Sequence, residues 1–318
     1  MAFFNFLMLA FGITSSLFCH QCQAFAVKSD TRASQRATCV RGGVGDINIG
    51  EQAESDLLII GAGYLGKLIG KSWLEKFPGA SVYAETRSDS KHSLLREDGM
   101  LPILRSDRED HPTQSWKNII FCASPSGNED YPGELEAAVQ LWDKTGGFVF
   151  TSSGGIFAEN AGGYVTTESP VADSPRAQKL VDAENIVLNA GGSVVRLAGL
   201  YDTQRGAHNF WLSKVELDSN PDGIINQIHY EDAALVTIAA LLKQEKGKIY
   251  IAADGNPLTR SGICDAALQC SIYKGKSAPK FLKPSDESEG KIYDMTQTFE
   301  KLNWTPKYPS FSEYMQSH

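Results

Sequence analysis

The sequence predicts an α/β fold, a doubly wound parallel sheet of the Rossmann type with a small C-terminal lobe. Three observations predict it. Short apolar runs alternate with helical patterns from Asp56 to Leu197, the first of these runs breaks into a G-x-G-x-x-G turn, and the pattern changes character after residue 200. Such alternation requires a parallel sheet, because each parallel pair needs a crossover long enough to hold a helix. At 318 residues the chain has room for one large domain or two small ones.

Leu57-Leu58-Ile59-Ile60 reads as a strand buried on both faces. It runs into Gly61-Ala62-Gly63-Tyr64-Leu65-Gly66. In this spacing Gly61 permits the tight turn, Gly63 lets the backbone approach a pyrophosphate, and Gly66 lets the next helix pack closely on the sheet. Tyr64 to Phe77 then places apolar residues at helical spacing. The N-terminus of that helix offers N–H groups and a positive dipole end to phosphates. The turn therefore predicts a dinucleotide site.

Further strands are expected over Ser81–Glu85, Leu101–Leu104, Asn118–Ala123, Gly147–Thr151 and Ser193–Leu197, with helices over Glu134–Lys144 and Arg176–Asn189. Residues 56–200 would form the nucleotide-binding domain, and 201–318 a C-terminal substrate lobe that completes the fold. In that last third Ile224–Leu242 joins an extended piece to an apolar helix, Lys248–Ala252 reads as a strand, and Ser277–Ser288 as a loop. Ligands of open parallel sheets bind beyond the carboxyl ends of the strands.

The formal charge of −8 argues against nucleic acid as a partner, since phosphate-backbone readers carry a basic patch or a high pI. The first 45 residues are basic, so the acidity belongs to the rest of the chain. Met1 to Phe18 is apolar and uncharged, and Cys22-Gln23-Ala24 supplies small residues at the positions a signal peptidase requires, so residues 1–24 read as a signal peptide. Residues 25–50 read as a transit-like segment and linker, because Phe25 to Arg41 is basic, rich in Ser, Thr and Ala, and nearly free of acid. Together the two segments resemble the bipartite plastid-targeting leaders of algae with secondary plastids, through Gln23-Ala24-Phe25-Ala26. That resemblance implies a plastid protein with no stable membrane anchor once the leader is cleaved; secretion is the alternative. Cys122, Cys264 and Cys270 are the cysteines beyond the leader and make no disulfide framework, and no metal site is expected.

Several motifs follow the glycine turn in a fixed order: Phe121-Cys122-Ala123-Ser124, Phe150-Thr151-Ser152-Ser153-Gly154-Gly155-Ile156-Phe157, Arg196-Leu197-Ala198-Gly199-Leu200-Tyr201, and Ile228-His229-Tyr230-Glu231-Asp232-Ala233-Ala234. With them the chain resembles the extended, epimerase/dehydratase-like branch of the short-chain dehydrogenase/reductase superfamily, in particular its atypical members, over roughly residues 56 to 315. The resemblance implies a nicotinamide dinucleotide held by Gly61, Gly63, Tyr64, Leu65 and Gly66, by Thr86 and Arg87 at the second strand, and by Ala123, Ser124, Thr151 and Ser152 at the fourth and fifth. An acidic residue at the end of the second strand selects NAD, whereas an arginine there accommodates the extra phosphate of NADP. Thr86-Arg87-Ser88 occupies that end, which favours NADP(H); Glu85, one step earlier, leaves NAD as the lesser alternative.

Relatives of this kind orient a carbonyl with a Ser or Thr after the fifth strand and move the proton with a Tyr-x-x-x-Lys. Ser153, four residues before Phe157, matches the serine. Ser169 to Leu180 contains no tyrosine; Lys179 lies one residue from the expected lysine, and Pro175 stands four before it. Tyr164, in what reads as a loop after Ser153, is the candidate substitute, with Tyr201 and His208 behind it. Arg176 and Arg205 are candidate anion ligands that are more often solvated charges. His229 and Asp232 read as structural at a helix start, and Cys122 as an inert buried thiol. The expectation is an NADP(H)-binding protein, either an oxidoreductase or epimerase on a small carbonyl or sugar-nucleotide-like substrate, or a non-catalytic NADP-dependent binding, redox-sensing or assembly protein.

Overall fold

A computed structural model describes residues 56–111, 113–284 and 289–318. The signal-peptide and transit-like segments lie outside the described residues. The described chain begins with β1 (Leu57–Ile60), α1 (Tyr64–Lys76), β2 (Val82–Thr86), α2 (His92–Glu97), β3 (Leu101–Leu104), β4 (Asn118–Phe121) and α3 (Tyr131–Gln140). It continues through β5 (Phe148–Ser153), β6 (Ala161–Val165), α4 (Pro175–Ala190), β7 (Ser193–Leu197), β8 (Gly199–Tyr201), α5 (Ala207–Trp211), β9 (Glu216–Leu217), β10 (Ile224–Ile225) and β11 (Gln227–His229). The remainder is α6 (Tyr230–Lys243), β12 (Ile249–Ala252), β13 (Leu258–Thr259), α7 (Arg260–Ala267), β14 (Lys280–Phe281), β15 (Gly290–Tyr293), α8 (Thr296–Leu302) and α9 (Phe311–Gln316).

Seven strands form one parallel sheet in the order β12-β7-β5-β4-β1-β2-β3. The strand order reverses between β1 and β4, and the glycine turn leaves β1 at that point. Alternate residues of β1 feed opposite layers, as strand geometry requires. Leu57 and Ile59 pack with Ile69 and Trp73 of α1 and with Val236 and Ala240 of α6. Leu58 and Ile60 pack with Leu135 of α3 and Leu180 and Val187 of α4. Helices thus cover both faces, which is the doubly wound α/β architecture.

Local chemistry sets the helix boundaries near the cleft. α3 starts at Tyr131, earlier than its apolar pattern predicts, because Asp130 accepts from the Gly133 N–H at 3.0 Å and a proline stands in the first turn. α4 starts where Ser174 Oγ accepts from the Ala177 N–H at 3.2 Å, and it stops at Gly191, whose φ of 93° suits a left-handed cap.

The division at residue 200 is crossed by the chain. α6 and β12 return to the main sheet, β12 pairing with β7 along Ile249–Ala252. The physical reason is that most of α6 is apolar, so it must be buried between sheet and lobe. Conversely β6, from the N-terminal part, joins the small sheet β13-β10-β15-β6 of the lobe. Its sequence Ala-Gly-Gly-Tyr-Val has weak strand propensity and is held by pairing with β15. The stretch read as a loop contains β14, and Ser285–Ser288 of it lie outside the described residues.

Candidate functional site

The carboxyl ends of β1, β2, β4, β5 and β7 open into a cleft of about 810 Å³. This falls in the size range of small-molecule and cofactor sites, about 300–1,000 Å³. Its floor is the glycine turn. The N–H groups of Gly61 and Ala62 both donate to the Glu85 carbonyl, at 3.0 and 2.9 Å. Gly61 has φ +90°, and a Cβ there would stand 2.3 Å from the Ala123 backbone nitrogen. Gly66 is close to the Gly61 carbonyl, the Cys122 sulfur and Ile59, each 3.0–3.1 Å from where its Cβ would be. Gly63 differs: a Cβ there would meet only the Gly61 oxygen, at 3.9 Å, and would otherwise project into open space. No side chain caps α1 and no acidic residue stands in its first turn, so the helix end is available to an anion. The residues present fit a pyrophosphate.

At the β2 end Thr86 Oγ1 donates to the Ser88 carbonyl at 2.8 Å, and Arg87 reaches the carbonyls of Gly127 and Ser126 at 3.3 and 3.5 Å. Arg87, Ser88 and Lys91 line this end of the cleft. Glu85 is 3 % exposed, and both its oxygens are taken by Arg108, with Nε to Oε2 at 2.7 Å and Nη2 to Oε1 at 2.5 Å. An acidic group occupied in this way is not free for ribose hydroxyls. Arg108 was not legible in the sequence, since it is 23 residues away and belongs to no motif.

At the other end Ser153 Oγ accepts from the Gly155 N–H at 3.1 Å, leaving its own proton to donate into the cleft. Thr151 Oγ1 donates to the Phe121 carbonyl at 3.4 Å. Ser152 Oγ is buried and has no hydrogen-bond partner among the described residues. Ala123 and Ser124 complete the wall.

Two expected substitutes for the missing pair stand elsewhere. Lys179 does not line the cleft; its Nζ donates to the Asn128 carbonyl. The α4 residues that line it are Arg176 and Leu180, also four apart and therefore on one helix face. Tyr164 is not on a loop that folds back but in β6, beside Ile292 of β15, and is 75 % exposed outside the cleft. The tyrosines that do line it are Tyr64, Tyr131 and Tyr230. Each titrates above its ordinary value, first because of burial; Tyr64, also bonded to Asp202, reaches about 12. Burial likewise pushes the Cys122 thiol up to about 12, and its Sγ donates to the Gly61 carbonyl at 3.2 Å. At neutral pH these groups therefore keep their protons.

The remaining singled-out residues do not line the cleft. Tyr201 is fully buried. His208, a candidate substitute for the missing tyrosine, is fully buried between Tyr273 and Phe311 outside the cleft, and burial lowers its pKa. His229 caps α6 by accepting from the Glu231 N–H at 3.2 Å. Asp232 accepts from the N–H groups of Lys307 and Tyr308 at 2.6 and 2.8 Å, tying the C-terminal segment to α6. Arg205 stacks on the Tyr64 ring at 4.2 Å. Among the described residues no group of three His, Cys, Asp or Glu is placed to hold a metal ion, and no helix is long and apolar enough to cross a membrane.

No protein-family model and no curated protein sequence matches the chain. Solved structures do. A functionally unknown conserved protein from Silicibacter pomeroyi superposes with a TM-score of 0.67 at 19 % identity, over 83 % of this chain and 97 % of the other. The dTDP-glucose 4,6-dehydratase of Bacillus anthracis, solved with NAD, gives 0.68 at 16 % over 82 % and 94 %. The UDP-glucose 4-epimerase of Thermotoga maritima, solved with UDP-glucose, gives 0.64 at 18 % over 82 % and 96 %. The chain has the epimerase/dehydratase fold. In that fold its glycine turn, the β5 exit and the start of α4 converge on one cleft.

Proposed function

We propose that the protein binds NADP(H) in this cleft, with the pyrophosphate at Gly63 and the α1 N-terminus and the 2′-phosphate at Arg87. The observation that carries the reading is the pairing of a vacant-sided Gly63 with a β2 end where Arg87 lines the cleft and Glu85 is neutralised by Arg108. Arg87 offers a planar fork to a phosphate, and its attachment to the Ser126 and Gly127 carbonyls holds it near the cleft mouth. Titration of the protein with NADPH and NADH tests the reading, and Arg87→Ala should remove the difference between them.

The chemistry proposed for the other end is oxidoreduction or epimerisation of a small carbonyl or sugar-nucleotide-like substrate. When bound, the dinucleotide supplies hydride transfer; Ser153 orients the carbonyl through its free O–H, and the apolar side chains of Leu180, Leu197 and Leu200 exclude water. A second reading, a non-catalytic NADP-dependent sensing or assembly protein, is favoured by one observation: Arg176 and Leu180 stand on the α4 face that lines the cleft, in place of the tyrosine and lysine that the resemblance implies. Hydride turnover on a panel of carbonyl compounds, repeated with Ser153→Ala, separates the two.

The targeting reading is likewise proposed: residues 1–45 direct the chain to a plastid. A reporter carrying them should enter plastids, and export to the medium would refute it.

A further inference from the structure

We propose that the reacting end of the cleft takes a small substrate carrying a carboxylate or phosphate, and that Arg176 binds this oxyanion. The inference rests on the reading of the cleft as a dinucleotide site with a substrate beside Ser153, and it names the class of that substrate.

The charge balance of the cleft comes first. Its lining carboxylates are Glu85 and Glu134, and each already has an arginine: Arg108 for the first and Arg105 for the second. Arg87 is engaged by two backbone carbonyls. Arg176 lines the same cleft, is exposed, and makes no ion pair or hydrogen bond with any described residue. Lys91 and Arg87, at the β2 end, likewise have no carboxylate partner among the described residues; at the Ser153 end the cation without a counter-charge is Arg176.

Its support is rigid. The residues leading into α4 are pinned to the turn that follows Ser153: the Ala172 N–H donates to the Ile156 carbonyl at 2.7 Å, and the Ala158 N–H to the Pro170 carbonyl at 2.9 Å. Ser174 then caps the helix, and no acidic residue stands in the first turn to compete for the guanidinium. An oxyanion held there gains from the helix dipole as well as from the fork of N–H donors. The same cleft is also lined by the apolar side chains of Leu180, Leu197, Ala198 and Leu200.

A second observation points to a ligand at the same place. Ser152, 7 % exposed, lines the cleft and leaves its hydroxyl without a partner. It lies on the β5 face shared by Phe148 and Phe150, the face packed against α4. Buried hydroxyls are ordinarily hydrogen-bonded, so a polar ligand reaching between Arg176 and Ser153 satisfies it. A guanidinium offers five N–H donors in a fixed fork and no acceptor, so the role of Arg176 is to bind and orient.

Calorimetric titration tests this with matched pairs, pyruvate against pyruvamide for the carboxylate and dihydroxyacetone phosphate against dihydroxyacetone for the phosphate, with inorganic phosphate alone as a further probe. Each is titrated with and without saturating NADPH. The charged member of one pair should bind about tenfold or more tightly than its neutral partner; which pair discriminates identifies the source of the oxyanion. Arg176→Gln should abolish the discrimination, and Arg176→Lys should retain part of it. Equal binding of charged and neutral members, discrimination that survives Arg176→Gln, or no binding of any anion overturns the proposal. If NADPH fails to bind while the discrimination persists, the dinucleotide reading fails and what is retained is oxyanion binding at Arg176.

Discussion

Glu85 and Arg108 form a two-point ion pair at the carboxyl end of β2, with side chains only 4 % and 18 % exposed. In the NADP(H) reading the pair occupies the carboxylate that would select against a 2′-phosphate, and Arg87, held by the Ser126 and Gly127 carbonyls, is the recognition group at that edge. Arg108→Met should therefore weaken the preference for NADPH over NADH. It should also destabilise the fold by about 3–5 kcal/mol, because it strands a buried carboxylate. Glu85→Met combined with Arg108→Met should recover much of the stability. Chemical denaturation of the single and double variants, read beside their NADPH and NADH affinities, measures both effects.

The two ends of the glycine turn should respond differently to one methyl group. Gly61→Ala places a Cβ against the Ala123 backbone and forces a left-handed conformation on alanine, so a loss of at least about 1–2 kcal/mol is expected from conformation alone. Gly63→Ala meets no protein atom closer than 3.9 Å, so the fold should be retained while dinucleotide affinity falls. Melting temperature and NADPH binding, measured on both variants, distinguish these outcomes.

Ser153→Ala should lower turnover of any carbonyl substrate by about 10²-fold or more if its hydroxyl orients the reacting group. An unchanged rate on a substrate that the protein does reduce would remove Ser153 from the chemistry. Tyr164→Phe should leave the same rate unaltered, since Tyr164 is exposed on β6 outside the cleft.

The lobe carries a pH-dependent term. Burial raises Asp254 to about 7, with Asp232 adding like-charge repulsion, while the N–H of Asn256 lowers it. Its surroundings are Gln227, bonded through the backbone, Tyr201 and Asp232. A carboxyl whose folded pKa is raised holds its proton in the folded state while the unfolded chain releases it. The folded state therefore loses stability as pH rises from about 4 to about 7. Burial lowers His229 to about 4, which has the opposite slope between about 4 and 6.5. Asp254→Asn isolates the first contribution: relative to the natural chain it should gain stability progressively from pH 4 to pH 7, in denaturation curves recorded across that range. A difference independent of pH would show that Asp254 does not titrate there.

How far the sequence reaches depends on whether a residue acts through local pattern or through a distant partner. The parallel strands of the main sheet and the α1 and α4 helices follow from apolar periodicity, and the cofactor floor from the glycine spacing; both are local. β6 was hidden because its glycines carry no strand propensity and its pairing with β15 joins residues far apart in the chain. His208 was misplaced because nothing near it in sequence announces that Tyr273 and Phe311 close over it. The reacting face of α4 turned on one residue of phase. The sequence places Lys179 one residue from the expected lysine with Pro175 four before it, whereas the helix presents Arg176 and Leu180 to the cleft. Arg108 could not be found by motif at all, because its role exists only through Glu85.

The most direct test of the account is fluorescence titration of the natural protein and of Arg87→Ala with NADPH and with NADH. The account predicts that the natural protein binds NADPH more tightly by about tenfold or more, the worth of a charge-assisted contact to the 2′-phosphate. Arg87→Ala should bring the two affinities together. Equal affinities in the natural protein, or binding of neither dinucleotide, would contradict it.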